Sequence, residues 1–313
     1  MSAQTSMSDR PPATIAPLRR ILAATDFSAA SEAAAQRAAG CAAERGASLT
    51  LAHVVPSSLW DDVGTTLAAA LGQARPSQEE AAAAAGQRLR REAATLAARH
   101  ALRCQARVAC GRVPLELARL AADADLLAVG SHGAHPVREL LGTTAHKLLR
   151  LAPCPVLVVK RPPPFEYARV LAPTDLSAPA AAALRAIAAW LPQAHLTIAH
   201  AFELPYDGLM QYASVDDATV VGYRDAARER LLRELAAWAD AAGVAAARRT
   251  LRVEHGYPAS CIDRWIGEFD ADLVALAARG KSELEAAWLG SVSLHAVQSA
   301  SCDVLLLRGA ALS

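Results

Sequence analysis

The sequence has few aromatic residues, almost no net charge and no long apolar run, and each deficit excludes a class of protein. Aromatic residues make up only 4% of the 313-residue chain although 53% of it is hydrophobic, so small side chains must dominate the core. The formal net charge of +1 provides no electrostatic argument for binding nucleic acid. No apolar run reaches the roughly 18 residues that a membrane span needs, so we expect no membrane segment.

Cysteine pairs and targeting signals are also missing. Six cysteines are scattered without a C-x-x-C pair, which indicates buried free thiols and is compatible with a reducing compartment. Residues 1–17 have no apolar core and no signal-peptide layout, so they are predicted to form a disordered tail. Together these features predict a cytoplasmic protein.

The chain consists of two similar halves. Four blocks of the first half recur in the second half, in the same order and at a nearly constant offset. The clearest pair is RILAATDFSAASEAAAQRAA, residues 20–39, and RVLAPTDLSAPAAAALRAIA, residues 169–188. We therefore predict two domains, residues 18–160 and 167–310, which are joined by the proline-rich linker 161–166.

Each half alternates short apolar segments with helical ones. In the first half we predict strands at 20–24, 48–54, 105–110, 125–130 and 155–159, and helices at 29–45, 78–100, 114–123 and 142–151. In the second half we predict strands at 169–172, 195–201, 249–254, 272–277 and 303–307. The alternation implies an α/β fold in which helices cover both faces of a parallel sheet. Ligands bind such sheets at the carboxyl ends of the strands, where the strand order reverses.

A threonine–aspartate–x–serine segment follows the first strand of each half. It contains Asp26 in the first half and Asp175 in the second. Each carboxylate could cap the following helix by accepting hydrogen bonds from backbone N–H groups. Each could instead line a ligand pocket, which its repeated position at a strand end favours. The sequence leaves both interpretations open.

A glycine-containing loop follows the fourth strand of each half. Glycine lets the backbone approach a phosphate closely, and the free N–H groups of the next helix attract an anion. Alternatively, the glycines only turn the chain and the hydroxyl groups only cap the helix. Because the loop recurs at both predicted ligand positions, we predict an anion-binding site in at least one half. The candidate residues are Gly130, Gly133, Gly142, Thr143 and Thr144 in the first half, and Gly280, Gly290, Ser291, Val292 and Ser293 in the second.

Three other functional interpretations have weaker support. His53 and His200 follow the second strands, but a histidine in such a segment is usually packed in the core, and no nucleophile is placed beside either one. An RGKS segment in the second half lacks the first glycine of a P-loop. His132, His135 and His146 could bind a metal, but the second half has no histidine at the matching places.

The two-fold repeat, the T-D-x-S segments, the G-x-P before the third helix and the glycine loop before a P-V-L-V-V strand resemble the universal stress protein family in its tandem form. The resemblance covers roughly residues 18–308. It implies two tandem Rossmann-like α/β sandwich domains that bind adenine nucleotides, each with a five-stranded parallel sheet. It further implies that the glycines and hydroxyl groups hold the ribose and phosphates of ATP, with or without Mg²⁺. Asp26 and Asp175 would then lie near the adenine.

Both halves depart from the family's ATP motif, G-x2-G-x9-G-[ST]. In the first half only eight residues separate Gly133 from Gly142, and in the second half Ala277 replaces the first glycine. The second half keeps the loop length and its serines, so we expect it to be the better nucleotide site. The glycine loops contain no general base paired with a nucleophile and no pair of acids for Mg²⁺. We therefore expect a binding protein rather than an enzyme, with slow ATP hydrolysis at most.

The resemblance also implies pairing through the last strand of each half. Residues 155–159 and 303–307 are expected to pair internally as a pseudo-dimer, and a homodimer of the whole chain is compatible with this arrangement. Residues 56–78 and 203–225 differ most between the halves. They are candidate lids or surfaces for an unknown protein partner, or loops that pack their own aromatic residues. The alternative function is a nucleotide-free stress-response scaffold that acts through protein–protein contacts.

Overall fold

The structure describes six segments of the chain. The computed structural model covers residues 17–57, 77–132, 142–161, 166–204, 216–278 and 289–308. Two candidate site residues, Gly133 and Gly280, lie outside the described residues. The same is true of almost all of the predicted tail, most of the predicted linker and the middle of each candidate lid.

The first half alternates strands and helices at positions close to those predicted. The elements are β1 (Arg20–Ala24), α1 (Ala29–Arg45), β2 (Ser48–Pro56), α2 (Gln78–His100), β3 (Cys104–Gly111), α3 (Val113–Leu120), β4 (Leu126–Gly130), α4 (Thr143–Leu151) and β5 (Val156–Val159). The third helix ends earlier than predicted, at Leu120, and a 3-10 turn over Ala121–Asp123 continues it. The α-helical hydrogen bonds therefore stop at Leu120, although the pattern of apolar residues predicts a helix to residue 123.

The second half repeats this order. Its elements are β6 (Arg169–Pro173), α5 (Ala178–Trp190), β7 (His195–Phe202), α6 (Asp217–Ala241), β8 (Arg249–His255), α7 (Pro258–Glu268), β9 (Leu273–Ala277), α8 (Ser291–Ser299) and β10 (Asp303–Leu307). A 3-10 turn over Ala246–Arg248 precedes β8. The predicted α/β fold with two tandem units is confirmed.

The ten strands of the described segments form one sheet, in the order β3-β2-β1-β4-β5-β10-β9-β6-β7-β8. The five strands of each half run parallel to one another. At the centre β5 and β10 pair antiparallel, with Val158 opposite Val304 and Val156 opposite Leu306. These are the two segments through which the halves were expected to pair. The pairing covers the edge that each five-stranded unit would otherwise expose.

Helices cover both faces of the sheet and enclose two apolar clusters. Residues of α1, α2, α5 and α6 belong to one cluster, and residues of α3, α4, α7 and α8 belong to the other. Adjacent strand residues alternate between them, as Leu127 and Ala128 do in β4. Alanines such as Ala34, Ala38 and Ala42 form the buried side of α1. None of the helices in the described ranges is long and apolar enough to cross a membrane.

All six cysteines are free thiols. Cys154, Cys261 and Cys302 are buried as predicted, and burial raises the pKa of Cys154 to about 12 and that of Cys302 to about 11. Cys110 departs from the prediction because it is exposed. It lies in β3, which is the outermost strand at one end of the sheet.

Candidate functional site

The strand order reverses at the boundary between β1 and β4 in the first half, and between β6 and β9 in the second. In each half the chain moves outward from the first strand, then returns to place the fourth strand on its other side. The segments after these strands therefore lie next to each other at the carboxyl edge of the sheet. Both the T-D-x-S segments and the glycine loops follow these strands.

The T-D-x-S segment of the first half forms a turn closed by its own side chains. The Phe27 N–H donates to Thr25 Oγ1 at 3.0 Å, and the Ser28 N–H donates to Asp26 Oδ1 at 3.1 Å. Ser28 Oγ then accepts from the Ser31 N–H and caps α1. The turn places Phe27 at φ 63°, in the left-handed region. Ser28, rather than the predicted Asp26, is therefore the residue that caps the helix.

The second half builds the same turn. The Leu176 N–H donates to Thr174 Oγ1 at 3.0 Å, the Ser177 N–H donates to Asp175 Oδ1 at 3.0 Å, and Leu176 has φ 62°. Ser177 Oγ accepts from the Ala180 N–H and caps α5. The capping role predicted for Asp175 again belongs to the serine. Each aspartate supports the turn with one oxygen, which is compatible with a place beside a ligand.

His53 and His200, which the structure places inside β2 and β7, contact the same turns. His53 Nδ1 lies 2.8 Å from the Thr25 carbonyl oxygen, and His200 Nδ1 lies 2.8 Å from the Thr174 carbonyl oxygen. Because a carbonyl can only accept, Nδ1 carries the hydrogen in both rings. Each histidine thus ties its strand to the neighbouring turn, which favours the packing role over catalysis.

A cavity of about 260 Å³ lies at the carboxyl ends of β6, β7 and β9. Most of its wall is apolar and comes from the strands, α7 and the first turn of α8. Wall residues include Pro173, Ala199, Ala201, Pro258, Ile262, Trp265, Leu276 and Val292. Thr174, Asp175 and His200 contribute polar atoms on the β6 and β7 side of this cavity.

The indole of Trp265 lines this cavity and is hydrogen-bonded to Glu254, which forms ion pairs with Arg252 and Arg264. Trp265 is 1% exposed, and its Nε1 donates to Glu254 at 2.7 Å. Burial alone would raise the pKa of Glu254, but the Trp265 hydrogen bond and the charges of Arg264 and Arg252 lower it overall. The ionised carboxylate therefore fixes the ring at neutral pH. Sequence reasoning missed this pair, although an acidic residue inside a predicted strand was a usable signal.

The N-terminus of α8 forms the other polar part of the cavity. Gly290 caps this helix, and no side chain of the described residues caps it with a hydrogen bond. The predicted residues Gly290, Ser291, Val292 and Ser293 all line the cavity, together with Asp175. Ser293 Oγ donates to the Ala277 carbonyl at 3.1 Å, so this hydroxyl holds the helix against β9. The structure thus brings five predicted site residues to one place.

The first half repeats the helix N-terminus. Gly142 caps α4 with φ −58° and ψ 146°, close to the −60° and 147° of Gly290. The Gly142 N–H donates to the Ser131 carbonyl at 2.9 Å, as the Gly290 N–H donates to the Ala278 carbonyl at 3.2 Å. Thr143 is exposed and Thr144 is half-buried at the start of α4. The backbone could therefore present amide groups in the same way in both halves.

Gly130 is required by packing. A Cβ atom at this position would lie 2.7 Å from the backbone carbon of Ala30, so α1 approaches the end of β4 too closely for any side chain. Ala277 ends β9 in the second half, and its side chain joins the apolar cluster that includes α5 residues. The close approach of α1 is enough to explain the glycine, and contact between Gly130 and a ligand stays a prediction.

The metal hypothesis has no support among the described residues. In those ranges no group of three or more histidine, cysteine, aspartate or glutamate side chains could hold a metal ion. His132 Nδ1 lies 2.8 Å from Ser131 Oγ. His135, the second histidine of that hypothesis, lies outside the described residues.

Comparison with known proteins identifies relatives of both halves. The model of the universal stress protein family matches residues 17–160 and 166–308. A universal stress protein from Archaeoglobus fulgidus DSM 4304 is similar in structure, with a TM-score of 0.65 at 18% identity over 92% of this chain and 98% of that chain. A putative universal stress protein from Pseudomonas aeruginosa UCBPP-PA14 has a TM-score of 0.56 at 20% identity over 94% and 95% of the two chains. These two structures support the fold alone, and no curated protein sequence matches significantly.

Proposed function

The chain belongs to the universal stress protein family in its tandem form, and on this basis we propose that it binds an adenine nucleotide, with ATP as the first candidate, in the cavity of its second half. The observation that carries the proposal is the composition of this cavity. An apolar wall, a carboxylate and a helix N-terminus that no described side chain caps meet at the position where the strand order reverses.

The chemistry of the lining supports a planar base with an attached phosphate. Apolar side chains such as Ile262 and Trp265 suit the faces of a base, and the Asp175 carboxylate can accept a hydrogen bond from an exocyclic amine. The amide groups at the start of α8 suit a phosphate, because they point at the ligand and add the positive end of the helix dipole.

The cavity size supports a ligand that is only partly enclosed. Its volume of about 260 Å³ lies just below the roughly 300–1,000 Å³ of small-molecule sites. The base and ribose would occupy it, and the phosphates would extend past the first turn of α8. Mg²⁺, where present, would accompany the phosphates, since the described residues contain no metal-binding cluster.

We extend the proposal to a regulatory role in the cytoplasm. Nucleotide occupancy would shift the conformation of the protein and so its binding of a protein partner in a stress response. ATP hydrolysis would be slow at most. A homodimer of the whole chain is compatible with this role.

Equilibrium dialysis of the full chain with labelled ATP, with and without MgCl₂, tests the proposal. Gly290→Ala should weaken binding by about tenfold or more, equivalent to about 1.4 kcal/mol, because a methyl group is added beside the amides at the start of α8. The protein itself should tolerate this change, since the nearest atoms to the added Cβ lie 3.8 Å away. Gly142→Ala is the matched control, as it alters the equivalent helix cap of the first half.

Each outcome assigns a site or removes one. Weaker binding in Gly290→Ala alone supports the second-half site, and weaker binding in Gly142→Ala alone transfers the site to the first half. A loss of half the bound nucleotide in each variant means that both halves bind. Absence of binding to the unmodified chain at millimolar nucleotide would reject the proposal and favour the nucleotide-free scaffold.

A further inference from the structure

Each half contributes a basic side chain to the C-terminal end of the short helix that follows the glycine loop in the other half. Lys160 follows β5, and its Nζ donates to the carbonyls of Ala300 at 2.6 Å and Gln298 at 3.5 Å, at the C-terminal end of α8. Arg308 follows β10, and its guanidinium donates to the Leu149 carbonyl in the last turn of α4. The two contacts are reciprocal, because α4 and α8 are the equivalent helices after the glycine loops.

A cation at this end of a short helix stabilises the last turn of that helix. The last carbonyl groups of a helix have no partner within it and carry the negative end of its dipole, so a lysine or arginine stabilises them. α8 has only nine residues, from Ser291 to Ser299. A contact at its last turn is therefore about two turns away from the amides that line the cavity.

Lys160 is itself held at the junction, where β5 and β10 pair. The backbone N–H groups of Lys160 and Arg161 donate to Asp303 Oδ1 at 2.8 and 2.9 Å. Arg161 Nε also donates to the Ser301 carbonyl at 3.0 Å, just beyond α8. The first half thus makes several polar contacts around the end of this helix.

The remaining polar contacts of α8 come from its own half. His295 Nε2 lies 2.8 Å from Asp263 Oδ2, and Ser299 Oγ donates to Asp263 Oδ1 at 2.6 Å. These contacts attach the side of α8 to α7. Two contacts hold the ends of α8, namely Ser293 with Ala277 at the start and Lys160 with Ala300 at the finish.

We propose that Lys160 is a positioning residue for the second-half cavity, so that the first half sets the placement of the α8 amides at Gly290 and Ser291. Arg308 holds α4 for the first-half cleft in the same way. The inference has a helix part, that these side chains stabilise α8 and α4, and a ligand part, that this stabilisation affects ATP affinity. Only the ligand part rests on the proposed function.

Hydrogen–deuterium exchange on the ligand-free full chain tests the helix part. Lys160→Met keeps the aliphatic stem and removes the charge, so it should increase exchange in residues 291–299 and leave residues 143–151 unchanged. Arg308→Met should give the reverse pattern. Unchanged exchange in α8 of Lys160→Met, or an equal increase in both helices in both variants, would overturn the inference.

ATP affinity tests the ligand part. Lys160→Met should weaken binding about three- to tenfold, and Lys160→Arg should restore it because a cation again faces the carbonyls. Arg233→Met is the control, since it removes the same charge from an exposed position on α6. Unchanged affinity in Lys160→Met would contradict the positioning role even where exchange increases. If the unmodified chain binds no ATP, the proposed function fails, and the exchange pattern alone decides whether each half holds the other's helix.

Discussion

The two halves have the same turn but different surroundings for it. The N–H groups of Phe27 and Ser28 make the same hydrogen bonds as those of Leu176 and Ser177, and each turn is joined to a histidine at the same distance. The first half adds a hydrogen bond from Ser28 Oγ to Asp26 Oδ1. Beside the turn, Val54 is buried in the first half where the half-buried Ala201 lines the second-half cavity. After duplication, the local backbone geometry was kept and the side chains that line the cleft diverged.

The junction shows a second difference between the halves. Asp303 begins β10 and is fully buried, whereas Pro155 stands at the matching place before β5. Arg37 of the first half forms an ion pair with Asp303 at 3.3 Å, and the Tyr167 hydroxyl donates to it at 2.6 Å. Burial and the neighbouring carboxylate raise the pKa of Tyr167 well above its ordinary value, so its hydroxyl keeps its proton.

The largest effect is expected from Asp303→Ala. This change removes a carboxylate that the matching position of the first half, Pro155, also lacks. The change leaves Arg37, whose side chain is 4% exposed, without its ion-pair partner, and breaking such a buried pair costs about 3–5 kcal/mol. Urea unfolding measures the loss. Arg37→Met combined with Asp303→Ala should cost less than the sum of the two single changes. A loss below about 1 kcal/mol in Asp303→Ala would mean that the pair contributes little.

A smaller effect is expected from Gly130→Ala, which copies the alanine of the second half into the first. The new Cβ would lie within 3.0 Å of three backbone atoms of Ala30 and Ser31, and overpacking of this kind costs about 1–3 kcal/mol. Urea unfolding of Gly290→Ala is the control, and it should lose less because nothing lies within 3.4 Å of the added methyl group. Equal losses in the two variants would contradict the packing role of Gly130.

The smallest effects are expected from Ser28→Ala and Ser177→Ala, which test whether the turns are energetically equivalent. Each change removes a helix cap and should cost about 1 kcal/mol. Ser28→Ala should lose more than Ser177→Ala, because Ser28 Oγ also donates to Asp26 Oδ1 at 2.5 Å. The two losses should add in the double variant, because the sites share no partner. Chemical unfolding of the three variants gives these values. Equal losses would show that the additional hydrogen bond of Ser28 contributes little to stability.

Secondary structure could be predicted closely because its signals are local. The bounds of α1 and α2 match the predicted residues 29–45 and 78–100, since serine caps and apolar spacing mark them in the sequence. The end of α3 was less accurate, because a change from α-helical to 3-10 bonding leaves no mark on the apolar pattern. The candidate site was predicted in part, as Asp175 and the residues from Gly290 to Ser293 do line one cavity.

The sequence by itself determined the duplication, the alternation of strands and helices, and the two positions where loops of each half would meet. These properties depend on residues close together in the chain. Only the tertiary structure decided that Gly130 makes room for α1, that Glu254 fixes Trp265, and that Lys160 reaches α8. Each of these contacts joins residues from separate elements, and a contact distance exists only after the sheet has brought those elements together.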